Sequence, residues 1–151
     1  MLRILQSIEG KNLDAEKVAK VDMLRGSFVK VSEKEGNVDL AATLADVNGI
    51  ATRDFIVTQE SAMGMSVSDY DESQDKIKKG EYLGVMTLLK NEVYATSVYD
   101  ETLQNADVEA DKYLTVVNGK LAKSLEATSI QSLGWVEDAG LHKLLAFKVL
   151  K

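Results

Sequence analysis

His142, the only histidine in the chain, is the first residue to consider for acid–base chemistry. Imidazole has an ordinary pKa near neutrality, and enzymes often use it to move protons at pH 7 for that reason. However, His142 lies in an apolar run that predicts a strand, and no G-x-S-x-G sequence supplies a nucleophile elsewhere. The sequence therefore favours a structural or surface histidine, and we predict no catalytic residue and no enzyme activity.

The densest set of possible metal ligands is a group of four carboxylates in the run SDYDESQD, namely Asp69, Asp71, Glu72 and Asp75. A calcium loop of the EF-hand type needs glycine at its sixth position and a bidentate glutamate at its twelfth. Counted from Asp69, these positions hold Gln74 and Gly80. A solvated acidic loop is therefore favoured over a cation site, which stays as the alternative, and we predict no metal or other cofactor.

Trp135 and the methionines offer apolar surface that serves either a core or an interface. Trp135 is favoured as a core anchor over the aromatic centre of an interface. Met86 and the pair Met63 and Met65 are favoured as core filling over an adaptable contact surface. None of these side chains points to a cofactor.

The size and composition of the chain predict one soluble domain over residues 1–151. A chain of 151 residues with 45% hydrophobic side chains can build a packed core without disulfides or a structural metal. It contains no cysteine, which excludes thiol catalysis and cysteine-ligated zinc. No run approaches the roughly 18 apolar residues of a membrane span. The start, MLRILQSIEGK, is too short and too soon charged for a secretory signal.

The charge of the chain argues against nucleic acid as a partner. The net charge is -6, and residues 1–75 carry 8 basic against 14 acidic side chains, whereas residues 76–151 carry 10 of each. An acidic protein repels phosphate backbones, and no basic cluster with interleaved aromatic residues offsets this repulsion. We therefore predict neither nucleic acid nor a membrane as a partner.

Short alternating runs separated by turn residues predict a mainly β fold, a single-domain barrel or sandwich with short helical turns in its loops. The run over residues 82–90 is apolar on both faces, which predicts a strand buried on both sides, and it forms a predicted hairpin with residues 92–99. Exposed loops are predicted over residues 68–79 and 100–111, which are rich in charged residues. The sequence shows no fixed-period internal repeat and no domain boundary.

The strongest local signal is Asn118-Gly119, which predicts a tight hairpin turn between strands 112–117 and 120–123, because both residues tolerate positive φ. The neighbouring pair Gly119-Lys120, with Ser124, lacks the spacing of a phosphate-binding loop, so a nucleotide site is not predicted. A second hairpin is predicted between strands 130–137 and 141–149 through residues 138–140. In its last strand Leu145, Phe147 and Val149 share the predicted core face with Leu141.

The first third of the chain carries weaker signals. Strands are predicted over residues 28–32 and 54–58, and Asn48-Gly49 is predicted as a turn. Residues 17–23 fit both a strand and a helix, and we favour the strand. Residues 24–27 follow as a turn, since glycine accepts the backbone angles that such turns require.

The order of five runs resembles that of small bacteriophage structural proteins, in particular head decoration (cement) proteins. These runs are GSFVKV (26–31), NGIATRDF (48–55), GEYLGV (80–85), DKYLTVVNGKL (111–121) and LGWVE (133–137). The resemblance implies a virion protein, made in the host cytoplasm, that binds the major capsid protein lattice from outside as a small homo-oligomer and stabilises the shell. Many identical weak contacts repeated over a lattice add up to a large stabilisation.

Two other classes stay open beside the decoration protein. A β-rich module that binds a glycan or another ligand fits the same composition, and so does a tail or fibre component. A binding module should show a ligand pocket, whereas a decoration protein should associate with capsids or with itself. An enzyme should bring polar groups around His142 into a cleft.

Overall fold

The computed structural model describes residues 1–6, 13–53, 75–137 and 143–151, and for residues 13–16 it describes the backbone. These residues are mainly β and include a closed five-stranded barrel, so the predicted fold class is confirmed. The described strands are β1 (Leu2–Gln6), β2 (Leu13–Ala19), β3 (Met23–Leu24), β4 (Phe28–Ser32), β5 (Asn37–Leu40), β6 (Gly49–Thr52), β7 (Lys76–Ile77), β8 (Tyr82–Met86), β9 (Val93–Thr96), β10 (Tyr113–Val117), β11 (Lys120–Lys123), β12 (Ile130–Glu137) and β13 (Lys143–Val149). Short 3-10 turns lie at Leu44–Asp46 and Asn105–Asp107.

The first barrel consists of β2, β5, β4, β6 and β8 in that spatial order. β2 and β5 are parallel, and the other neighbouring strands are antiparallel. Alternate residues of a strand point to opposite faces, so each strand supplies one apolar row to the interior. These rows form a hydrophobic cluster inside the barrel, and the two-stranded sheet β3–β7 also contributes to it. Its buried members are Ala19, Met23, Val29, Val38, Ala51, Ile77, Leu83 and Val85.

The second ring consists of β9, β13, β12, β10 and β11, with β1 added on the outer edge of β9. The chain directly after β9 returns to the far edge of this sheet. Leu121 of β11 donates its N–H to the carbonyl of Val98 at 3.2 Å, and Asp100 donates to the carbonyl of Leu121 at 2.7 Å. Tyr99 and Leu121 form a parallel bridge there, which closes the ring.

The two rings have the same strand connectivity. In each, the first strand pairs in parallel with the third and antiparallel with the fifth. The second strand pairs with the third and the fourth, and the fourth pairs with the fifth. The chain therefore contains a structural repeat, although its sequence shows none.

Equivalent backbone hydrogen bonds support the repeat. A turn precedes the second strand of each ring, with Gly26 at φ 96° in one and Asp111 at φ 77° in the other. In the first barrel, the Gly26 N–H donates to the Ala51 carbonyl (2.8 Å) and the Ala51 N–H donates to the Ser27 carbonyl (2.8 Å). In the second ring, the equivalent bonds run from the Asp111 N–H to the Ser132 carbonyl (3.3 Å) and from the Ser132 N–H to the Lys112 carbonyl (2.7 Å). These bonds are made by the backbone, so they persist where the side chains differ.

A shared hydrophobic cluster joins the two rings. Phe28, Ile50 and Met86 form one row across three strands of the first barrel, on the face opposite to its interior. All three are buried in the hydrophobic cluster that fills the second ring, which we call the main cluster. The rings of Phe28 and Phe147 lie 5.6 Å apart between centroids. We use the term joint for this contact together with the docking of the Asn118-Gly119 hairpin tip on the first barrel.

The hairpin at Asn118-Gly119 is confirmed. Val117 pairs with Lys120 across a two-residue loop, with φ of 48° at Asn118 and 77° at Gly119. Its tip docks on the first barrel, since Gly119 donates to the carbonyl of Ala41 at 2.8 Å. A Cβ on Gly119 would lie 2.6 Å from Leu40 Cδ2, so the close approach also requires glycine.

The predicted pairing of the last two strands is confirmed as well. β12 and β13 are antiparallel from Ile130↔Val149 to Glu137↔Lys143. Leu145, Phe147 and Val149 share the main cluster, as predicted for that face. The connecting residues 138–140 and Leu141 lie outside the described part of the chain, as do residues 54–58.

The predicted hairpin of residues 82–90 with 92–99 is wrong. β8 ends at Met86 and pairs within the first barrel, whereas β9 pairs with β1 and β13. A turn between them, closed by Glu92 N–H to the carbonyl of Leu89 at 3.2 Å, carries Asn91 at φ 71° and leads the chain into the second ring. Burial on both faces is also wrong at Tyr82, whose side chain is 70% exposed.

The outcome differs among the elements predicted in the first third. The strand predicted over residues 28–32 is confirmed as β4. Residues 17–19 belong to strand β2, so the helix alternative is excluded there, and the turn over residues 24–27 is confirmed by Ser27 N–H donating to Leu24 at 3.0 Å. The Asn48-Gly49 turn is wrong, because Gly49 begins β6. A Cβ on Gly49 would lie 2.5 Å from the Met86 carbonyl oxygen, so this glycine serves close strand packing.

Candidate docking surface

Most residues considered for chemistry lie outside the described part of the chain. They are His142, Asp69, Asp71, Glu72, Met63 and Met65. The structural role predicted for the histidine and the solvated loop predicted for the three carboxylates therefore stay predictions. Among the described residues, no group of three or more His, Cys, Asp or Glu side chains is placed to hold a metal ion.

Asp75 is not part of a solvated loop, in contrast to the prediction. Its side chain is buried, and its carboxylate forms an ion pair with the amino group of Met1. Its carbonyl accepts the N–H of Arg25 at 2.7 Å. The neighbouring residues form β7, which pairs with β3, so the predicted loop has regular structure at this end. Asp75 links elements that the sequence leaves far apart.

Trp135 lies at the rim of the main cluster and not at its centre. It is half-buried, with the ring of Tyr99 edge-on at 4.9 Å and Lys143 Nζ 4.0 Å from its ring centroid. Its Nε1–H donates to Asn105 Oδ1 at 3.0 Å. Met86, by contrast, is only 7% exposed in the main cluster, which confirms its predicted role as core filling.

A buried carboxylate–phenol pair stabilises the entry to β9, and the sequence reasoning missed it. Glu92 is fully buried and accepts the Tyr94 hydroxyl at 2.6 Å and the N–H of Leu89 at 2.7 Å. Burial and the bond to Glu92 raise the pKa of Tyr94 far above its ordinary value. The pair fixes the turn that leads into the second ring, and the Glu-x-Tyr spacing on one strand face was its only signal.

Within the described residues, exposed large apolar side chains mark the surface. They are Ile4, Leu5, Leu24, Tyr82, Val117, Leu125 and Leu133. Ile4 and Leu5 are neighbours on β1, and Leu125 stands at the tip of a loop between β11 and β12. An exposed apolar side chain on a rigid element is a candidate contact point for a partner.

Strand β1 belongs to neither five-stranded ring. It pairs with β9 along one edge, with a bulge between Ile4 and Gln6, and stands at the end of the sheet among the described strands. Ile4 is 52% and Leu5 is 47% exposed. An edge strand with apolar side chains offers both unpaired backbone groups and hydrophobic area to another chain.

The Leu125 loop is fixed in shape although its apolar side chain is in solvent. Ser124 Oγ donates to the Glu126 carbonyl at 2.8 Å and accepts the Glu126 N–H at 3.2 Å. Leu125 between them is 97% exposed. The loop therefore presents a leucine in a defined position at little further entropy cost on binding.

The described surface includes a mainly apolar hollow and a more polar one. The mainly apolar hollow of about 300 Å³ lies beside β3 and β7 and is lined by Asp22, Met23, Leu24, Lys76, Ile77 and Lys78. The more polar one is a groove of about 500 Å³ that runs along the β4–β5 hairpin. Its lining residues are Lys20, Lys30, Val31, Ser32, Glu35, Asn37 and Asp39.

Comparison with known proteins adds no relative. No protein family, no curated protein and no solved structure matches the chain. Among the described residues, no helix is long and apolar enough to cross a membrane.

Proposed function

We propose that the protein is a virion structural protein that binds the outer surface of a bacteriophage capsid, as a decoration or cement protein, and stabilises the shell. The five runs that resemble such proteins support this function. So does the arrangement of the described surface, where apolar side chains stand on rigid strands and loops. The partner is the major capsid protein lattice, and the protein acts at the virion surface.

The observation that carries the proposal is strand β1. Its outer edge is unpaired among the described strands, and its exposed Ile4 and Leu5 add apolar area. A segment of the capsid protein can extend this sheet by backbone hydrogen bonds, which supply affinity, while apolar pockets supply specificity. Each contact is small, and repetition over the lattice makes the total large.

Co-sedimentation with mature capsids tests the proposal directly. We expect the protein to bind at a fixed ratio per lattice site and to raise the melting temperature of the shells, because a ligand that binds only the assembled state stabilises it by mass action. The double variant Ile4→Lys, Leu5→Lys should weaken binding by at least about tenfold, since it places two charges on the contacting edge.

The matched control is the double variant Ala110→Lys, Leu133→Lys, which puts the same two charges on exposed apolar residues away from β1 and from the Leu125 loop. It should bind single lattice sites as the wild type does. A protein that neither co-sediments with capsids nor changes their melting contradicts the proposal. Binding that is insensitive to the β1 variant assigns the contact to another surface.

The second candidate is a glycan-binding module, and Trp135 is the observation that favours it. A half-buried aromatic ring beside the Asn105 amide combines apolar and polar contacts, as ligand sites do. Trp135 is the only tryptophan, so its fluorescence reports this site alone. A saturable fluorescence change with a glycan, lost in Asn105→Ala, would favour this function, and no change across a glycan panel would remove it.

A further inference from the structure

We propose that copies of this chain associate head to tail, through a contact that repeats the joint between the two rings. The repeat supplies two matching surfaces, one on each ring, that the joint leaves unused. One is the Leu125 loop of the second ring. The other is the tip of the β4–β5 hairpin of the first barrel, and the occupant of each is a second copy of the chain.

The joint shows how such surfaces fit. The hairpin tip of the second ring docks on the loop that leaves β5 of the first barrel. Gly119 donates its N–H to the Ala41 carbonyl at 2.8 Å, and Asn118 donates to the Ala42 carbonyl at 3.2 Å. Phe28 donates in return to the Gly119 carbonyl at 2.9 Å. The contact is therefore a backbone one, specified by shape more than by side-chain type.

The Leu125 loop is the equivalent of the docking loop. Ala41 donates to the carbonyl of Phe28 at 3.0 Å, and Ser124 donates to the carbonyl of Tyr113 at 3.1 Å. Phe28 and Tyr113 begin the second strand of their rings, so Ser124 stands where Ala41 does. Leu125 then takes the place of Ala42, but no hairpin among the described residues covers it, and its side chain is 97% exposed.

The tip of the β4–β5 hairpin is the equivalent of the docking tip. Gly36 and Gly119 both directly precede the third strand of their ring, with φ of 65° and 77°. A Cβ on Gly119 would meet Leu40 at 2.6 Å, whereas a Cβ on Gly36 would meet nothing within 4 Å. The two loops differ in length, since Ser32 pairs with Asn37 across four residues and Val117 pairs with Lys120 across two. The Gly36 carbonyl also accepts the Val18 N–H within its own barrel at 3.1 Å. What the tips share is the position and positive φ of the glycine, and among the described residues no other ring covers Gly36.

The side chains around these two surfaces fit each other. Lys123 stands at the position of Leu40, because Lys123 pairs with Leu114 and Leu40 pairs with Val29. Leu114 and Val29 are each the second residue of the second strand of their ring. Within the chain, Lys123 Nζ lies 3.7 Å from Asp107 Oδ1 and its side chain is largely exposed. In the repeated contact Lys123 also lies next to Gly36 and to the acidic Glu35. Leu125 then lies at the groove of about 500 Å³ along this hairpin, where Val31 is the apolar residue of an otherwise polar lining.

The contact between copies is weaker than the joint. The apolar row of Phe28, Ile50 and Met86 is replaced on the second ring by Tyr113, Gln131 and Lys148, which are paired with each other in the same way. The apolar core of the joint is thus missing, and the association should be reversible and sensitive to salt. A head-to-tail contact builds a closed ring or an open chain, never a two-fold dimer.

Sedimentation equilibrium of two complementary variants tests the head-to-tail geometry. Leu125→Lys blocks one surface, and Glu35→Lys blocks the other. We expect the mass of the wild type to rise with concentration, and each variant alone to associate at least about tenfold more weakly. An equimolar mixture should form pairs and nothing larger, because it restores one unmodified contact and leaves two lysines opposed at the other.

Two charge-matched controls, Leu133→Lys and Glu101→Lys, lie on exposed residues away from both surfaces and should associate as the wild type does. A wild type that stays monomeric at every concentration overturns the proposal. So does a mixture that stays monomeric while the wild type associates, since that result indicates a two-fold contact. The test is independent of capsid binding, which we assign to β1.

Discussion

The first barrel and the second ring have the same strand connectivity but differ in one row of side chains across three strands, which starts at the first residue of the second strand. In the first barrel the row Phe28, Ile50 and Met86 is buried against the other ring. In the second ring the equivalent row, Tyr113, Gln131 and Lys148, is half-exposed and polar. Backbone hydrogen bonds therefore set the connectivity, and the side chains of one row decide whether a face joins another ring or meets solvent.

The largest difference between equivalent positions is expected for the first residue of this row. Phe28→Ala removes a fully buried ring from the joint and should lower the free energy of unfolding by about 3–5 kcal/mol. Tyr113→Ala, at the half-exposed equivalent, should cost about 1 kcal/mol. Urea unfolding of both variants measures the two costs, and equal costs would mean that the joint does not form in solution.

The two hairpin glycines should differ next most. Gly119→Ala combines a strained positive φ with contacts to Leu40 and to the Phe28 carbonyl, and should cost about 2–3 kcal/mol. Gly36→Ala meets only the strain of its φ and should cost about 1 kcal/mol. Thermal unfolding of the pair separates the effect of the joint from that of backbone strain. A cost at Gly36 as large as at Gly119 would contradict the assignment of its tip as uncovered.

Alkaline pH should affect the second ring through Tyr94. Burial and the bond to Glu92 raise the pKa of Tyr94 in the folded protein, so the unfolded chain releases this proton first. The free energy of unfolding should therefore fall as the pH rises above about 10, by up to about 1.4 kcal/mol per pH unit. Tyr94→Phe should lose this part of the pH dependence, and Tyr99→Phe should retain it. An unchanged slope in Tyr94→Phe would show that another group titrates.

The smallest effect is expected at Asp46, in the loop that joins β5 and β6. Hydrogen bonds from Lys30 at 2.9 Å and Thr43 at 3.0 Å hold the pKa of Asp46 below its ordinary value. This contribution to stability is present above the ordinary pKa of the carboxyl and is lost as the pH falls through the folded pKa. An NMR titration of Lys30→Met should show a higher pKa at Asp46. Asp100, whose pKa is lowered by hydrogen bonds from Thr102, should not change.

Local chemistry allowed part of the fold to be predicted. The Asn118-Gly119 pair was sufficient to predict its hairpin turn, because few residue types tolerate positive φ. The alternation of apolar residues in the last strand was sufficient to predict its core face, because a strand buried on one side alternates in residue type. The partners of β8 and β9 could not be predicted in the same way. Both strands are apolar and adjacent in sequence, and only the turn at Asn91 shows that they enter different rings.

The repeat and the candidate surfaces could not be predicted, for a different reason. Equivalent positions such as Ile50 and Gln131 differ in type, since backbone hydrogen bonds define the repeat and accept any side chain. Leu125 is the same residue type as the buried leucines, and only the fold shows that its side chain is in solvent. The prediction of Asp75 in a solvated loop was wrong because its partner, the amino group of Met1, lies far from it in the sequence.

Native-state hydrogen exchange at the two hairpin glycines tests most directly whether the joint locks the rings together. The Gly119 amide, bonded to the Ala41 carbonyl, should exchange only with a free energy close to that of global unfolding. The Gly36 amide, at the uncovered tip, should exchange through local opening, many times faster. Equal and fast exchange at both glycines would mean that the two rings separate in solution, and it would contradict the joint on which both the fold and the proposed contact between copies depend.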